Sequence, residues 1–264
     1  MTTKISVIMS VYNDEKYLEG AISSILNQTY QDFEFIICND CSTDGSEAII
    51  LSFLEKDKRI VYFKNEKNSG LAASLNRCLE RATGEYIARM DSDDFSLPDR
   101  FKKQMRFLDE NPWCAVLGGQ MAYMNGEGIV YTESALRTDI SRSDVIKRVS
   151  VAHPTVMARR AVVKEAGGYS VGPLTRRAED YDLWCKIAEK GYCLHNLPDI
   201  VLKYRQDAVT IQKRKYTYRI EEFRIKNYWR KRAGYPAWYI IYAIKPLILG
   251  LFPASLYKKL KKIK

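Results

Sequence analysis

The 264 residues are 46% apolar and 12% aromatic, with neither glycine nor proline enriched, which fits a globular chain of one large α/β domain or two small ones. Six cysteines include Cys38 and Cys41 at C-x-x-C spacing, but no second pair or His-x-His cluster completes a zinc site, and all six read as reduced thiols of a cytosolic protein. The net charge of +10 is uneven: residues 205–264 hold 16 Lys/Arg against 3 Asp/Glu, a net of +13, while residues 1–204 hold 26 against 29, a net of −3. An anionic partner surface therefore belongs to the C-terminus alone.

In chain order, Ile5–Val11 is a β-rich apolar run suited to a buried parallel strand. It is too short for a signal peptide, and Asn13, Asp14 and Glu15 follow at once. Apolar residues at helical spacing over 17–26 predict a helix, 33–38 a second strand ending at Asn39-Asp40, and Ser42-Thr43-Asp44-Gly45 a loop and cap before a helix through Leu54. A third strand over 59–64, a helix over 71–82 and a strand over 85–90 follow. This alternation predicts a doubly wound, mostly parallel α/β sheet with helices on both faces, in which ligands bind at the carboxyl ends of strands.

Beyond a helix over 99–109 the order loosens. A strand over 115–124 leads through a Gly126-Glu127-Gly128 turn to its return over 129–132, then a strand over 156–159 and a short helix over 161–166 before Gly167-Gly168. A helix over 180–190 ends at Gly191, and residues 1–204 read as one domain. Residues 205–232 are a charged helical stretch with interleaved aromatics, 238–252 are strongly apolar but broken at Lys245-Pro246 and Gly250, and 258–264 carry five lysines. A bilayer span needs about 20 uninterrupted apolar residues. Residues 205–264 therefore read as a helical, basic-aromatic tail that lies on an anionic membrane surface.

Asp91, Asp93 and Asp94 place three carboxylates in four residues just past a strand end. Such a set can converge on one hard cation, and Mg²⁺ or Mn²⁺ there takes its remaining ligands from water and substrate phosphates, so the first inference is a metal that holds a diphosphate. The alternative is an acidic turn whose Asp caps the helix over 99–109.

Five segments carry a family resemblance: Ile5-Ser-Val-Ile-Met-Ser-Val-Tyr-Asn-Asp14, Cys38-Asn-Asp-Cys-Ser-Thr-Asp-Gly45, Asn68-Ser-Gly-Leu-Ala-Ala-Ser-Leu-Asn76, Asp91-Ser-Asp-Asp94 and Glu179-Asp-Tyr-Asp-Leu-Trp184. In this order they resemble the motif set of family 2 inverting glycosyltransferases, over residues 4–205. The resemblance implies a GT-A fold, a UDP-sugar donor and a divalent metal, Mn²⁺ or Mg²⁺. It places Ser10, Val11, Tyr12 and Asp14 on the nucleotide, Asp40 on the uracil, and Asn68, Gly70 and Asn76 near the donor. Without it, Tyr12 and Asp40 read as turn and cap residues, and the Asn68–Gly70 segment as a helix cap.

The resemblance makes Asp93 the metal ligand and Asp91 a contact to the ribose or to a metal-bound water, and leaves Asp94 a structural partner. It makes Asp180 the general base, beside Glu179. Inversion demands a base near the attacking hydroxyl, and the N-terminus of the helix over 180–190 favours a charged carboxylate. Read without the family, Asp180 is an N-cap. Trp184 either lines the acceptor sugar or is buried in the core, and His153, in an H-P-T segment that enzymes of bacterial polysaccharide assembly often share, either contacts the acceptor or is a satisfied loop histidine. Arg176 and Arg177, in a Gly/Pro-containing loop, are either a basic lid on the diphosphate or solvated charges.

Two elements depart from the family pattern. No Q-x-x-R-W element of processive members is present, Gln212-Lys-Arg-Lys-Tyr216 coming nearest, and no His follows Tyr204-Arg205-Gln206. The implied activity is an inverting, non-processive transfer of a hexose, Gal or Glc, from a UDP-sugar to a lipid-linked saccharide in cell-surface polysaccharide biosynthesis. The enzyme would sit peripherally on the cytoplasmic membrane face, with no specific nucleic-acid partner. The rival readings are a sugar-phosphate nucleotidyltransferase, which usually carries a basic Gly-rich loop that Ser10–Glu15 lacks, and a non-enzymatic membrane- or nucleic-acid-binding module driven by the tail.

Overall fold

The computed structural model describes residues 3–206 and 216–250. The N-terminal half builds the expected units: β1 (Ile5–Val11), α1 (Glu15–Leu26), β2 (Phe33–Asn39), α2 (Ser46–Leu54), β3 (Ile60–Lys64), α3 (Leu71–Arg81) and β4 (Tyr86–Arg89). β1 lies between β2 and β4, and β3 flanks β2, all parallel. Alternation along β1 sorts its side chains: Ile5, Val7, Met9 and Val11 enter one apolar cluster and Ile8 the other. Burial on both faces explains why this strand reads as continuously apolar.

The rest of the chain is β5 (Phe95–Ser96), α4 (Arg100–Glu110), β6 (Cys114–Met124), β7 (Val130–Glu133), β8 (Asp139–Ile140), α5 (Arg142–Ile146), β9 (Met157–Arg159), α6 (Arg160–Glu165), α7 (Glu179–Glu189) and β10 (Cys193–Arg205). The sheet order is β3-β2-β1-β4-β9-β6-β10-β5, with β7 on β6 and β8 on β10. β9 runs antiparallel to both β4 and β6, and β10 pairs parallel with β6, so the six long or central strands still point one way. The sheet is thus mixed but mostly parallel. Residues of α1 and α4, such as Ile22 and Phe101, fill the cluster on one face, and residues of α3, α6 and α7, such as Leu75, Val162 and Ile187, fill the other.

Two helices complete the described chain: α8 (Tyr216–Arg232) and α9 (Ile240–Gly250). Ile225 and Trp229 of α8 are buried in the same cluster as α7. Trp229 Nε1 donates to Asp182 Oδ1 at 2.9 Å, and Glu222 pairs with Arg148 at 3.0 Å. The cut at 204/205 read from composition is therefore not a gap between packed bodies, because α8 shares the core of the sheet domain. α9 runs through Pro246, one of the residues that interrupt the apolar run of 238–252. Proline has no N–H for the carbonyl four residues back, that of Tyr242, and Lys226 Nζ donates to that oxygen at 3.4 Å instead. Among the described residues no helix is long and apolar enough to cross a membrane. Gln212 and residues 251–264, with their lysines, lie outside the described residues.

Candidate active site

The ends of β1, β2 and β4 adjoin at one edge of the sheet, and their loops are tied together by short side chains. Asn13, in the left-handed region with φ 55°, donates its N–H to Ser42 Oγ at 3.1 Å and accepts from Thr43 N at 2.8 Å. Asp14 N donates to Ser46 Oγ at 3.0 Å, which seats the start of α1 on that of α2. A cleft of about 390 Å³ opens above, lined in part by Ser10, Tyr12, Asp14 and Asp40. Tyr12 is half exposed, so its ring is free to stack. Val11 is different. Its side chain is fully buried and its carbonyl accepts Asp40 N at 2.8 Å, so the expected nucleotide contact is corrected: Val11 anchors the β2 loop.

Asp40 is buried and strongly committed. Its Oδ1 accepts Asn65 Nδ2 at 2.6 Å and Ser69 N at 2.8 Å, and its Oδ2 accepts Gly70 N at 2.8 Å. A carboxylate offers about four acceptor directions, so one on Oδ2 remains. Gly70 has φ 84°, which a residue with a Cβ rarely adopts, and this turn brings the start of α3 to the cleft wall beside Asn68. Asn76, expected near the donor, is elsewhere. Its Nδ2 donates to Tyr169 O at 2.7 Å and its Oδ1 accepts Tyr169 N at 2.9 Å, so it pins the loop that precedes α7.

The acidic segment bridges β4 and β5, and α4 begins only at Arg100, which rules out Asp91–Asp94 as its cap. Oxygens of Asp91, Asp93 and Asp94 lie within 4.8 Å of one another, the only such convergence of three His, Cys, Asp or Glu among the described residues. Asp91 pairs with Arg89, whose side chain is buried beneath the cluster. Burial, then the charges of Asp91 and Asp14, push Asp93 up to about 7. Burial, then Asp91 and Asp93, holds Asp94 well above the ordinary carboxylate range. Asp14, bonded by Ser92 Oγ, is raised chiefly by burial.

Asp94 Oδ1 accepts Arg205 N at 2.8 Å, while its Oδ2 is buried with no partner. Crowded carboxylates and an orphaned acceptor oxygen are the donor set a hard divalent cation fits, and Asp94 belongs to it as much as Asp91 and Asp93. Arg205 fixes the segment from behind. Its Nε donates to Asp93 O at 2.8 Å, its Nη1 to Asn125 O and Gly126 O at 3.0 Å each, and its guanidinium lies 3.9 Å over the Tyr17 ring.

The acidic pair Glu179-Asp180 opens α7, where the first turn holds Glu179, Asp180 and Asp182, as the helix dipole favours. Asp180 Oδ1 accepts Tyr181 N at 2.7 Å. Glu179, Arg176 and Arg177 line a cavity of about 550 Å³ whose other wall is the start of α3. That wall, Asn68, Gly70 and Leu71, also lines the cleft above the acidic cluster, so the two spaces adjoin along the start of α3. Glu179 is raised first by burial, with Asp180 adding to it.

His153 and Trp184 need correction as acceptor contacts. Both are buried: His153 Nε2 is 2.7 Å from Tyr169 Oη, and its ring packs edge-on against Trp184 at 5.9 Å. Burial, aided by the charge of Arg89, holds His153 well below its ordinary pKa. The two rings support the loop that carries Arg176 and Arg177 and do not face the cavity. Sequence reading missed Arg89, and it named Arg205 only as part of the Tyr204-Arg205-Gln206 segment, without a role. The signal for Arg89 was a lone cation in an otherwise apolar strand, two residues ahead of Asp91.

A mostly parallel α/β sheet with an acidic cluster past β4 and a second acidic pair across a shared cavity has the layout of a nucleotide-sugar-dependent transferase. The family model for Glycosyl transferase family 2 matches residues 6–167. EpsE of Bacillus subtilis strain 168, provisionally named a glycosyltransferase, is 36% identical over 98% of this chain and 93% of its own. The O-antigen biosynthesis glycosyltransferase WbnJ of Escherichia coli is 34% identical over 86% of this chain and 90% of its own. Among solved structures, S. aureus TarS residues 1–349 in complex with UDP-GlcNAc is similar over 99% of this chain and 76% of that one, with a TM-score of 0.73 and 22% identity. The mannosyltransferase PcManGT from Pyrobaculum calidifontis, in complex with GDP-Man and Mn²⁺, is similar over 99% and 79%, with a TM-score of 0.62 and 18% identity. The chain belongs to glycosyl transferase family 2, and its fold is that of the GT-A enzymes.

Proposed function

We propose that this glycosyltransferase moves a hexose, Gal or Glc, from a UDP-sugar to a lipid-linked saccharide, with inversion and one sugar per encounter, in the assembly of a cell-surface polysaccharide. The observation that carries this is that the cleft lined by Asp91 and Asp93 and the cavity lined by Glu179 share one wall, the start of α3. Donor and acceptor then meet between a set of diphosphate-facing acids and a base. Tyr12 stacks on the base of the nucleotide and Asp40, through its remaining acceptor direction, takes a hydrogen bond from it. Asp93, with Asp91 and Asp94, would hold Mn²⁺ or Mg²⁺, and such an ion would supply positive charge to the departing diphosphate. Asp180 accepts the proton of the attacking hydroxyl, on the side of the sugar opposite the leaving group. Glu179 lines the acceptor space. The biosynthetic roles of WbnJ and of the amylovoran glycosyltransferase AmsE of Erwinia amylovora support the setting, and UDP-GlcNAc bound to TarS and GDP-Man with Mn²⁺ bound to PcManGT support a metal-held nucleotide sugar.

The same reading keeps 1–204 as the transferase domain and gives the C-terminal 205–264 a part in peripheral attachment to the cytoplasmic face of the membrane. The exposed Trp238, Ile241 and Ile248 beside Lys245 support that part. The test is a panel of UDP-sugars with Mn²⁺ or Mg²⁺, scored for UDP release onto a lipid-diphosphate-linked GlcNAc. Wild type should turn over, while Asp93→Ala and Asp180→Asn should each lose at least about a hundredfold in kcat, the scale of general-base and metal contributions. Robust turnover by Asp180→Asn would remove the general base from the mechanism.

A further inference from the structure

A smaller cavity, of about 100 Å³, lies between α8 and the loop that precedes α7. Four arginines line it, Arg148, Arg176, Arg177 and Arg219, against one carboxylate, Glu222. That carboxylate is already shared, with Arg148 Nη1 at 3.0 Å and Lys226 Nζ at 3.1 Å from the same oxygen. The walls therefore hold an excess of positive charge. Arg177 is braced by an aromatic ring, its guanidinium 3.9 Å over Tyr218, which fixes its direction without cancelling its charge. Arg148 and Arg177 both occupy the left-handed region, with φ 66° and 63°, a cost that non-glycine residues carry mainly where surrounding structure and function require it.

Chemistry narrows the ligand. The lining is cationic, and guanidinium forks match the oxygens of a phosphate. Location narrows it further. The cavity shares Arg176 and Arg177 with the space that holds Glu179, and shares no lining residue with the cleft above the acidic cluster. An anion bound here would lie beside the space of Glu179 and apart from the cleft above the acidic cluster.

We propose that the cavity between Arg148, Arg177 and Arg219 binds a phosphate or diphosphate group of the acceptor, and so selects acceptors by that charge. This rests on the assignment of the Glu179 cavity to the acceptor. The arginines hold the anion on the far side of Ala178, the residue that precedes Glu179-Asp180, so the acceptor's sugar is presented to the acidic pair at a fixed reach. Arg176 and Arg177 thereby serve the acceptor and not, as a lid, the donor.

The test is calorimetric titration of the full chain saturated with UDP and Mg²⁺, which keeps the donor cleft filled. Three probes are compared: an alkyl-diphospho-GlcNAc, the uncharged alkyl-GlcNAc glycoside, and inorganic pyrophosphate. The diphosphate compound should bind at least about tenfold more tightly than the glycoside. Arg177→Gln and Arg219→Gln should each reduce that preference by about tenfold, the effect of one hydrogen bond to a charged group, with UDP affinity unchanged. Arg177→Lys, which keeps the charge, should retain part of it and guards against a folding defect. Competition by pyrophosphate would mark a general phosphate subsite, and preference without competition would mark recognition of the linked lipid diphosphate; both sustain the proposal. Equal affinity of wild type for charged and uncharged probes would overturn it, as would a matching loss of UDP affinity in Arg177→Gln. Diphosphate binding that persists in a protein with no sugar transfer would sink the transferase reading and leave the site.

Discussion

At the scale of single residues, the site is organised around buried cations and one buried imidazole. Arg89 and Arg100 share the interior below the acidic segment, and burial with the nearness of Arg89 pulls Arg100 down to about 9. Arg100 stays useful because its Nη2 donates to Arg89 O at 2.8 Å and Val156 O at 3.2 Å, which holds the strand end from which Asp91 departs. His153 titrates in a readable window. Its native pKa lies well below the ordinary 6.5, so below that value the unfolded chain binds a proton that the native chain does not. Stability linked to His153 is therefore intact above about pH 6.5 and falls as pH drops toward the native value. A His153→Gln protein can keep a hydrogen bond to Tyr169 and lacks this proton. The stability difference between wild type and His153→Gln should shrink by about 1.4 kcal/mol from about pH 7.5 to about pH 5.5. Denaturant titrations at both pH values measure it, and the raised carboxylates, common to both proteins, cancel. Parallel pH profiles would mean that the imidazole is not held neutral.

At the scale of elements, α8 is a strut for α7. The indole of Trp229 is buried and gives its N–H to Asp182, two residues from Asp180, while Arg232 reaches Glu189 near the other end of α7 at 3.0 Å. Trp229→Phe keeps most of the apolar contact and strands a buried acceptor, so it should cost about 1–3 kcal/mol of stability, against about 3–5 kcal/mol for Trp229→Ala. Urea midpoints of the two proteins measure this, and a Trp229→Phe protein as stable as wild type would mean that the bond contributes nothing. The elements up to β4 were legible because β1 and β2 are apolar on both faces and each ends in polar residues. The motifs followed from those ends. The reversal of β9 was not legible, since Met157-Ala158-Arg159 carries no mark of direction. Nor was the place of α8, whose buried Ile225 and Trp229 stand among charges on a helix that looks solvated. Asn76, His153 and Trp184 look alike in sequence whether they touch a ligand or, as here, hold a loop to the core. The carbonyl of Tyr242 that Pro246 leaves without an N–H is met by Lys226, sixteen residues before that tyrosine.

At the scale of the whole molecule, charge and apolar surface are divided between the two ends of the chain. The sheet domain has a net charge of −3 over residues 1–204, and of the net +13 of residues 205–264 one charge, that of Arg232, is paired with Glu189 of the sheet domain. The apolar contribution is laid out on the far side of α8, where Trp238 is 61%, Ile241 61% and Ile248 49% exposed. A basic residue near an anionic membrane contributes about 1 kcal/mol, so five lysines in 258–264 give weak, salt-sensitive binding by themselves. Insertion of two large apolar side chains contributes a few kcal/mol more, and two weak signals together make attachment stable. The full chain should therefore sediment with vesicles rich in anionic lipid and not with purely zwitterionic ones. Deleting 251–264 and replacing Trp238 and Ile241 by Ser should each weaken binding by about a hundredfold, and only the deletion should flatten the salt dependence, since only it removes charge. Equal binding to both kinds of vesicle, or a Trp238/Ile241 variant that binds as wild type does, would separate this face from the membrane and leave α9 as a brace for α8 alone.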